Sequence, residues 1–398
     1  MTTTVTTFPE LRLSEAMSRL GTESAFEVLV RARELEAAGR EIVHLEIGEP
    51  DFPTAPHIVA AAADALRAGW THYGPSAGLP ELRAAVADDA GRRRGIAVDP
   101  SEVVITPGAK PILFFTILAL IDRGDEVIYP NPGFPIYESM IHFIGGHAVP
   151  YGLREQHDFD VDVGEIIGHI TGRTRLVILN SPNNPTGGVI PADALARLAK
   201  VLVERDLFIL SDEIYSRLIY EGEHASISQY PGLQERTIIL DGFSKTYAMT
   251  GWRLGYGIMR PDLAEKVAQL QTNATSCTAS FTQIAGVAAL RGDQSCVGEM
   301  REEFRRRRRV IVEGLNRIPG FHCRQPHGGF CAFPNITGTG RRSKPLADAL
   351  LNEADVAALS GTAFGAGGEG YLRFSFANSL ENIERALARI EAWAKKNL

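Results

Sequence analysis

Short apolar runs alternate with helical patterns through the middle of the chain. SEVVITP (101–107), DEVIYP (125–130), TRLVILN (174–180), LFILSD (207–212), RTIILD (236–241) and LGYGIM (254–259) read as β-strands bounded by turn formers. Between several of them lie stretches with apolar residues at helical spacing, such as PADALARLAKVLVERD (191–206). This alternation predicts an α/β fold: a mainly parallel sheet with helices on both faces. The runs are apolar throughout, as expected of strands covered on both sides. The last hundred residues follow another order. A long charged helix pattern over 293–318 precedes a Gly- and Pro-rich patch, GFHCRQPHGGFCAFPN. A helix over 345–358, a strand YLRFSF (371–376) and an amphipathic helix over 379–396 follow. This part reads as a smaller α+β domain, against which the first fifty residues are expected to pack. The expected division is a large domain over 53–292 and a small domain from 1–52 plus 293–398.

Composition narrows the partners. A chain of 398 residues, 44% hydrophobic and 22% charged, is globular and needs no disulfide or metal to hold its core. Its 41 basic against 48 acidic residues, a net charge of −7, argue against a general nucleic-acid binder. The longest apolar run, Ile112 to Ile121 apart from Thr116, is far shorter than the ~20 residues of a membrane span. The opening MTTTVTTFPEL has neither the basic nor the apolar region of a secretory signal, so a cytoplasmic location is expected. Cys277, Cys296, Cys323 and Cys331 have no paired spacing and read as free thiols. The histidines form no ligand pair, and no metal is expected. Five consecutive arginines in MREEFRRRRRVIVEGL (300–315) fan out around a helix. With Glu302–Arg306 and Glu303–Arg307 at i,i+4, they read as a solvated face rather than a nucleic-acid patch.

In open parallel sheets ligands bind beyond the carboxyl ends of the strands, and the unusual residues of this chain fall there. Strand 101–107 runs into Gly108-Ala109-Lys110, either a plain tight turn or an anion-accepting helix start. Strand 174–180 runs into SPNNPTG (181–187), whose prolines and glycine make a sharp turn. Its asparagines, Asn183 and Asn184, are either Asx-turn formers or ligands. Strand 207–212 ends at Asp212, a helix cap or a counter-ion for a buried cationic ring nitrogen. Strand 236–241 leads to Lys245, whose amine, if desolvated, is nucleophilic enough for a Schiff base. Arg253 lies eight residues on and either pairs with an anion near Lys245 or faces solvent.

SPNNPTG (181–187), SDEIY (211–215) and FSKTYAMTGWRLGY (243–256) together resemble the class I aminotransferases, fold-type-I pyridoxal-phosphate enzymes like aspartate aminotransferase. GEPDF (48–52), THYGPSAGLPELR (71–83) and LRFSFA (372–377) extend the likeness over roughly residues 12–396. The resemblance implies a seven-stranded, mainly parallel sheet and a homodimer with shared active sites. It implies ping-pong transfer of an amino group from an L-amino acid to a 2-oxo acid, with pyridoxal 5′-phosphate as cofactor. The alternative is another reaction of the same cofactor group, a β-lyase or a cyclising synthase. By position, Lys245 matches the lysine that carries the cofactor, and Asp212 matches the partner of its ring nitrogen. Asn184 and Tyr215 match donors to the phenolic oxygen, and Phe134 falls where the family stacks an aromatic ring. Ser244, Arg253 and the Gly108, Ala109, Lys110 turn match positions around the phosphate. Tyr73 matches a tyrosine that reaches the neighbouring subunit's phosphate. Arg373 matches the arginine that grips the substrate α-carboxylate, with Gly48 and Asn184 nearby. Lys110 also resembles a lysine that meets a side-chain carboxylate in an aspartate-using branch, implying aspartate or a related donor with 2-oxoglutarate as acceptor. Two positions depart from the pattern: many relatives carry tryptophan in place of Phe134, and numerous members have a serine in place of Gly242.

Overall fold

The structure is a computed structural model and describes residues 11–398; the opening segment read for targeting signals lies, but for its last residue, outside the described residues. Seven strands form the central sheet. They are β1 (Val103–Thr106), β2 (Glu126–Asn131), β3 (His147–Gly152), β4 (Thr174–Asn180), β5 (Phe208–Asp212), β6 (Thr237–Gly242) and β7 (Gly255–Ile258). Their order across the sheet is β1-β7-β6-β5-β4-β2-β3. β7 pairs antiparallel with both β1 and β6, while all other neighbours pair parallel. Six strands therefore point one way, with their carboxyl ends along one edge.

Helices on both faces account for the unbroken apolar runs. Val104, Leu210, Ile238 and Leu240 pack on one side with Ile112 and Leu113 of the helix Lys110–Leu120. Val103, Ile105 and Ile239 pack on the other with Leu82 and Ala85 of the helix Pro80–Arg94. β3 is missing from the six runs legible in the sequence. It is an edge strand, mostly part-exposed, and carries Pro150. An edge position tolerates a residue with no N–H to donate and little apolar patterning.

The C-terminal part supplies most of a further core cluster, joined by Tyr215, Leu218 and Tyr220 from the segment after β5. Phe304, Ile311, Leu346, Phe374, Ile383 and Ile390 cluster with Val43 and Leu45 from the N-terminal segment. Val43–His44 pairs in parallel with Val356–Ala357, and Leu359–Ser360, Leu372–Ser375 and Cys331–Ala332 form a small antiparallel sheet. The helix expected over 345–358 spans Ser343–Ala354, because Asp355 turns the backbone left-handed (φ 56°) and Val356 opens a strand.

The arginine run departs from the expectation of a solvated face. It lies in the helix Ser295–Leu315, but Arg307 and Arg308 are buried. Arg307 pairs with Asp51 (2.6 Å) and Glu303 (3.0 Å), and Arg308 pairs with Glu221 and donates to the Pro326 carbonyl at 2.8 Å. The Glu303–Arg307 pair forms as expected, whereas Arg306 turns to Glu303 (3.5 Å) instead of Glu302. The reason is geometric: five successive residues cover more than one helical turn, so some must face the core. No helix among the described residues is long and apolar enough to cross a membrane.

Candidate active site

The carboxyl ends of β1, β4, β5 and β6 and the segment after β2 open on one cavity of about 900 Å³. Gly48, Ala109, Lys110, Phe134, Asn184 and Asp212 line it, as do Tyr215, Ser244, Lys245, Arg253 and Arg373. Eleven of the thirteen residues to which the resemblance gives a role thus line one cavity. Gly108 lies just behind: with φ +86°, it abuts Arg253, and a side-chain carbon there would come within 2.8 Å of the guanidinium carbon. Tyr73 is apart from the cavity and 89% exposed.

Asp212 ends β5 and is buried. Tyr137 donates to one of its oxygens at 2.6 Å and the Ile214 N–H to the other at 3.3 Å. Burial lifts its carboxyl to about 6, with Asp241 and Glu213 pushing the same way against those two hydrogen bonds. Both neighbouring acids are themselves paired. Arg94, buried at the end of its helix, meets Glu213 at 2.7 Å and Asp241 at 3.1 Å. Burial pushes the Glu213 carboxyl up, but Arg94 and His224 outweigh it and hold Glu213 well below the ordinary range. Asp212 is thus the buried acid of this group with no cation against it among the described residues.

Lys245 borders the cavity and donates to the Gly48 carbonyl at 2.5 Å. Burial lowers its amine to about 8, and Arg373 adds to the effect. Arg373, on Leu372–Ser375, is only 4% exposed and donates to the Glu46 carbonyl. Its Nε is buried without a partner among the described residues. The Glu46–Gly48 backbone therefore braces both cations. Tyr215 stacks edge-on against Phe330 (5.3 Å between ring centres), and burial holds its hydroxyl proton well above the ordinary range.

The structure separates the two asparagines that the sequence left open. Asn183 spends its side-chain oxygen on the Thr186 N–H (3.2 Å) and hydroxyl (2.9 Å), inside the turn. Asn184 is held by its backbone N–H on Asn180 (3.0 Å), and its side-chain oxygen is buried without a partner among the described residues. Gly242 pairs with Gly255 across β6 and β7, and a side-chain carbon at 242 would sit 3.0 Å from the Gly255 Cα. Gly255 in turn lies against the Gly108-Ala109 turn, where a side-chain carbon would come within 2.7 Å of the Ala109 Cα. The crossing is closed to a side chain at 255 and tight at 242, where a side-chain carbon would need its neighbour to shift by a few tenths of an ångström.

Three site residues were not singled out from sequence. Tyr137, which holds Asp212, sits one helical turn after Phe134 with their rings edge to face at 5.7 Å; that i,i+3 spacing was the available signal. Arg94 and Asn180 carried none, since an arginine among arginines and a strand-end asparagine look ordinary until folded.

Chemically, the cavity offers a buried carboxylate awaiting a cation, an amine of lowered basicity, and a buried guanidinium with an unfilled donor. A family model described as aminotransferase class I and II matches residues 40–390. An aspartate aminotransferase of Pyrococcus horikoshii is 40% identical over 92% of this chain and 93% of its own length. Aromatic-amino-acid aminotransferase 2 of Thermococcus litoralis is also 40% identical, over 89% of this chain and 92% of its own. The crystal structure of the aspartate aminotransferase from Rhizobium meliloti superposes with a TM-score of 0.93 at 36% identity, covering 98% of this chain and all of that one. A match of this extent makes the chain a member of the class I and II aminotransferase family, and an aminotransferase.

Proposed function

We propose that the chain transfers the amino group of aspartate or a related L-amino acid to 2-oxoglutarate, with pyridoxal 5′-phosphate carried on Lys245. The observation that carries this reading is the meeting of Lys245, Asp212 and Arg373 on one cavity. The residues present fit the cofactor. Asp212 lacks a cation among the described residues and would hold the proton on the ring nitrogen; the Asn184 side-chain amide N–H and the Tyr215 hydroxyl would donate to the phenolic oxygen. Ser244, Arg253 and the Gly108–Lys110 turn, at a helix start, suit the phosphate. Phe134 supplies a ring face, without the hydrogen bond an indole would add.

When bound, the cofactor supplies an electron sink for the pair left as the substrate Cα–H bond breaks. The protein's own part is placement and proton transfer. Arg373 fixes the α-carboxylate by two parallel N–H donors, a geometry that lysine lacks. That grip would fix the orientation of Cα and turn its C–H bond, rather than the bond to the carboxylate, toward Lys245. Lys245, with its amine free, would be basic enough to take the Cα proton and acidic enough to return it.

Several named relatives are aspartate aminotransferases, and Lys110 on the cavity wall is a cation that a substrate's side-chain carboxylate would reach by displacing Glu23. The large domain is proposed over 53–292 and the small one from 1–52 plus 293–398, a division supported by the mainly C-terminal cluster that takes in Val43 and Leu45. A homodimer is supported by the exposed Tyr73 and by Phe26 and Val30, which leave apolar surface on Ser24–Ala37. A cytoplasmic location agrees with four unpaired thiols. The test is a panel of amino donors against 2-oxoglutarate with the cofactor-loaded protein. Glutamate formed in step with consumed donor supports the reading; pyruvate released with ammonia or thiol, and no glutamate, refutes it in favour of elimination.

A further inference from the structure

Two cations on the cavity wall are placed to meet carboxylates: Arg373 and Lys110, the latter at the start of the helix Lys110–Leu120. Lys110 is already occupied. Its ammonium pairs with the carboxylate of Glu23, and both residues line the cavity. Glu23 stands at the N-cap position of Ser24–Ala37 yet makes no capping hydrogen bond, so its carboxylate serves Lys110 in place of its own helix. Apolar residues share the cavity with the pair: Ala25, Phe26, Leu29, Leu113 and Phe134, the last with its ring centre 5.4 Å from the Lys110 ammonium.

We propose that Glu23 is a specificity residue, an internal stand-in for the side-chain carboxylate of a substrate. With a dicarboxylic amino acid the substrate carboxylate takes Lys110 and Glu23 turns out to water. With an uncharged side chain Glu23 stays, so that the apolar group meets a neutral pair rather than a lone ammonium, whose burial would be costly. The exchange is close to balanced, because both partners are part-exposed, with side-chain exposures of 43% for Lys110 and 24% for Glu23, and such pairs are weak. The consequence is a single site that accepts dicarboxylic and uncharged donors alike. The inference rests on the reading of Lys110 as the partner of a side-chain carboxylate.

The test compares kcat/KM for aspartate and glutamate with that for phenylalanine and leucine, in the cofactor-loaded wild type, Glu23→Gln and Lys110→Met. Wild type is expected to use both classes. Glu23→Gln is expected to raise the dicarboxylic-to-uncharged ratio by about fivefold, with KM falling for the former and rising for the latter. Lys110→Met is expected to lose the dicarboxylic donors preferentially. An unchanged or lowered ratio in Glu23→Gln, with the Lys110→Met loss intact, overturns the role of Glu23 alone. Dicarboxylic donors used at wild-type kcat/KM by Lys110→Met would overturn the reading of Lys110 and the inference with it. A wild type confined to one class also overturns the inference.

Discussion

Replacing Asp212 by asparagine should stabilise the cofactor-free protein while ruining it as an enzyme. Burial raises the Asp212 carboxyl from 3.8 to about 6, so above that pH the fold holds a charge that it disfavours. A shift of roughly two units at about 1.36 kcal/mol each is a penalty of about 3 kcal/mol. The sign follows from the direction. An acid raised on folding costs stability fully above its folded value, near pH 6, and the cost fades as pH falls toward 3.8, where the carboxyl is protonated in both states. Asparagine carries no charge and can still accept from Tyr137, but it loses one acceptor, and the Ile214 N–H bond at 3.3 Å is the weaker of the two. That loss offsets about 1 kcal/mol, leaving a net gain of about 2 kcal/mol at pH 8 and about none, or a small loss, near pH 4. Urea denaturation of both cofactor-free proteins across that range measures the difference. An Asp212→Asn protein less stable than wild type at pH 8, or a difference that does not vary with pH, would refute the argument. Cofactor affinity and turnover should both fall sharply in the same variant, which distinguishes a charge kept for function from one kept for the fold.

Other perturbations separate the roles of neighbouring groups. Arg373→Lys should weaken α-carboxylate binding by more than about 1 kcal/mol, read as a rise in the apparent dissociation constant for amino acids, because the charge survives and the fork does not. Asn183→Ala should cost about 1–3 kcal/mol in denaturation, since it strands the buried Thr186 N–H and hydroxyl, with turnover affected less than in Asn184→Ala. Arg308→Ala should destabilise by several times the cost of Arg306→Ala in the same assay, because Arg308 is buried beside the Pro326 carbonyl while Arg306 is exposed.

The sheet was legible where burial on both faces forced apolar runs, and those runs carried six of its seven strands. β3 escaped because an edge strand with Pro150 needs no such pattern. The strand-end residues were legible as a set because six parallel strands must open on one edge, which brings Asp212, Asn184 and Lys245 together. What sequence reading cannot supply is which of two similar side chains turns inward. Asn183 and Asn184, or Arg306 and Arg308, differ only in the direction that the folded backbone gives them. Partners distant in sequence were equally hidden: Arg94 for Glu213 and Asp241, and Glu23 for Lys110.

The most direct measurement is to load the protein with pyridoxal 5′-phosphate, reduce it with borohydride, digest it and locate the added mass. The account requires the label on the peptide holding Lys245, and its loss together with nearly all transamination in Lys245→Ala. A label on another lysine, no label, or near-normal turnover in Lys245→Ala would contradict it.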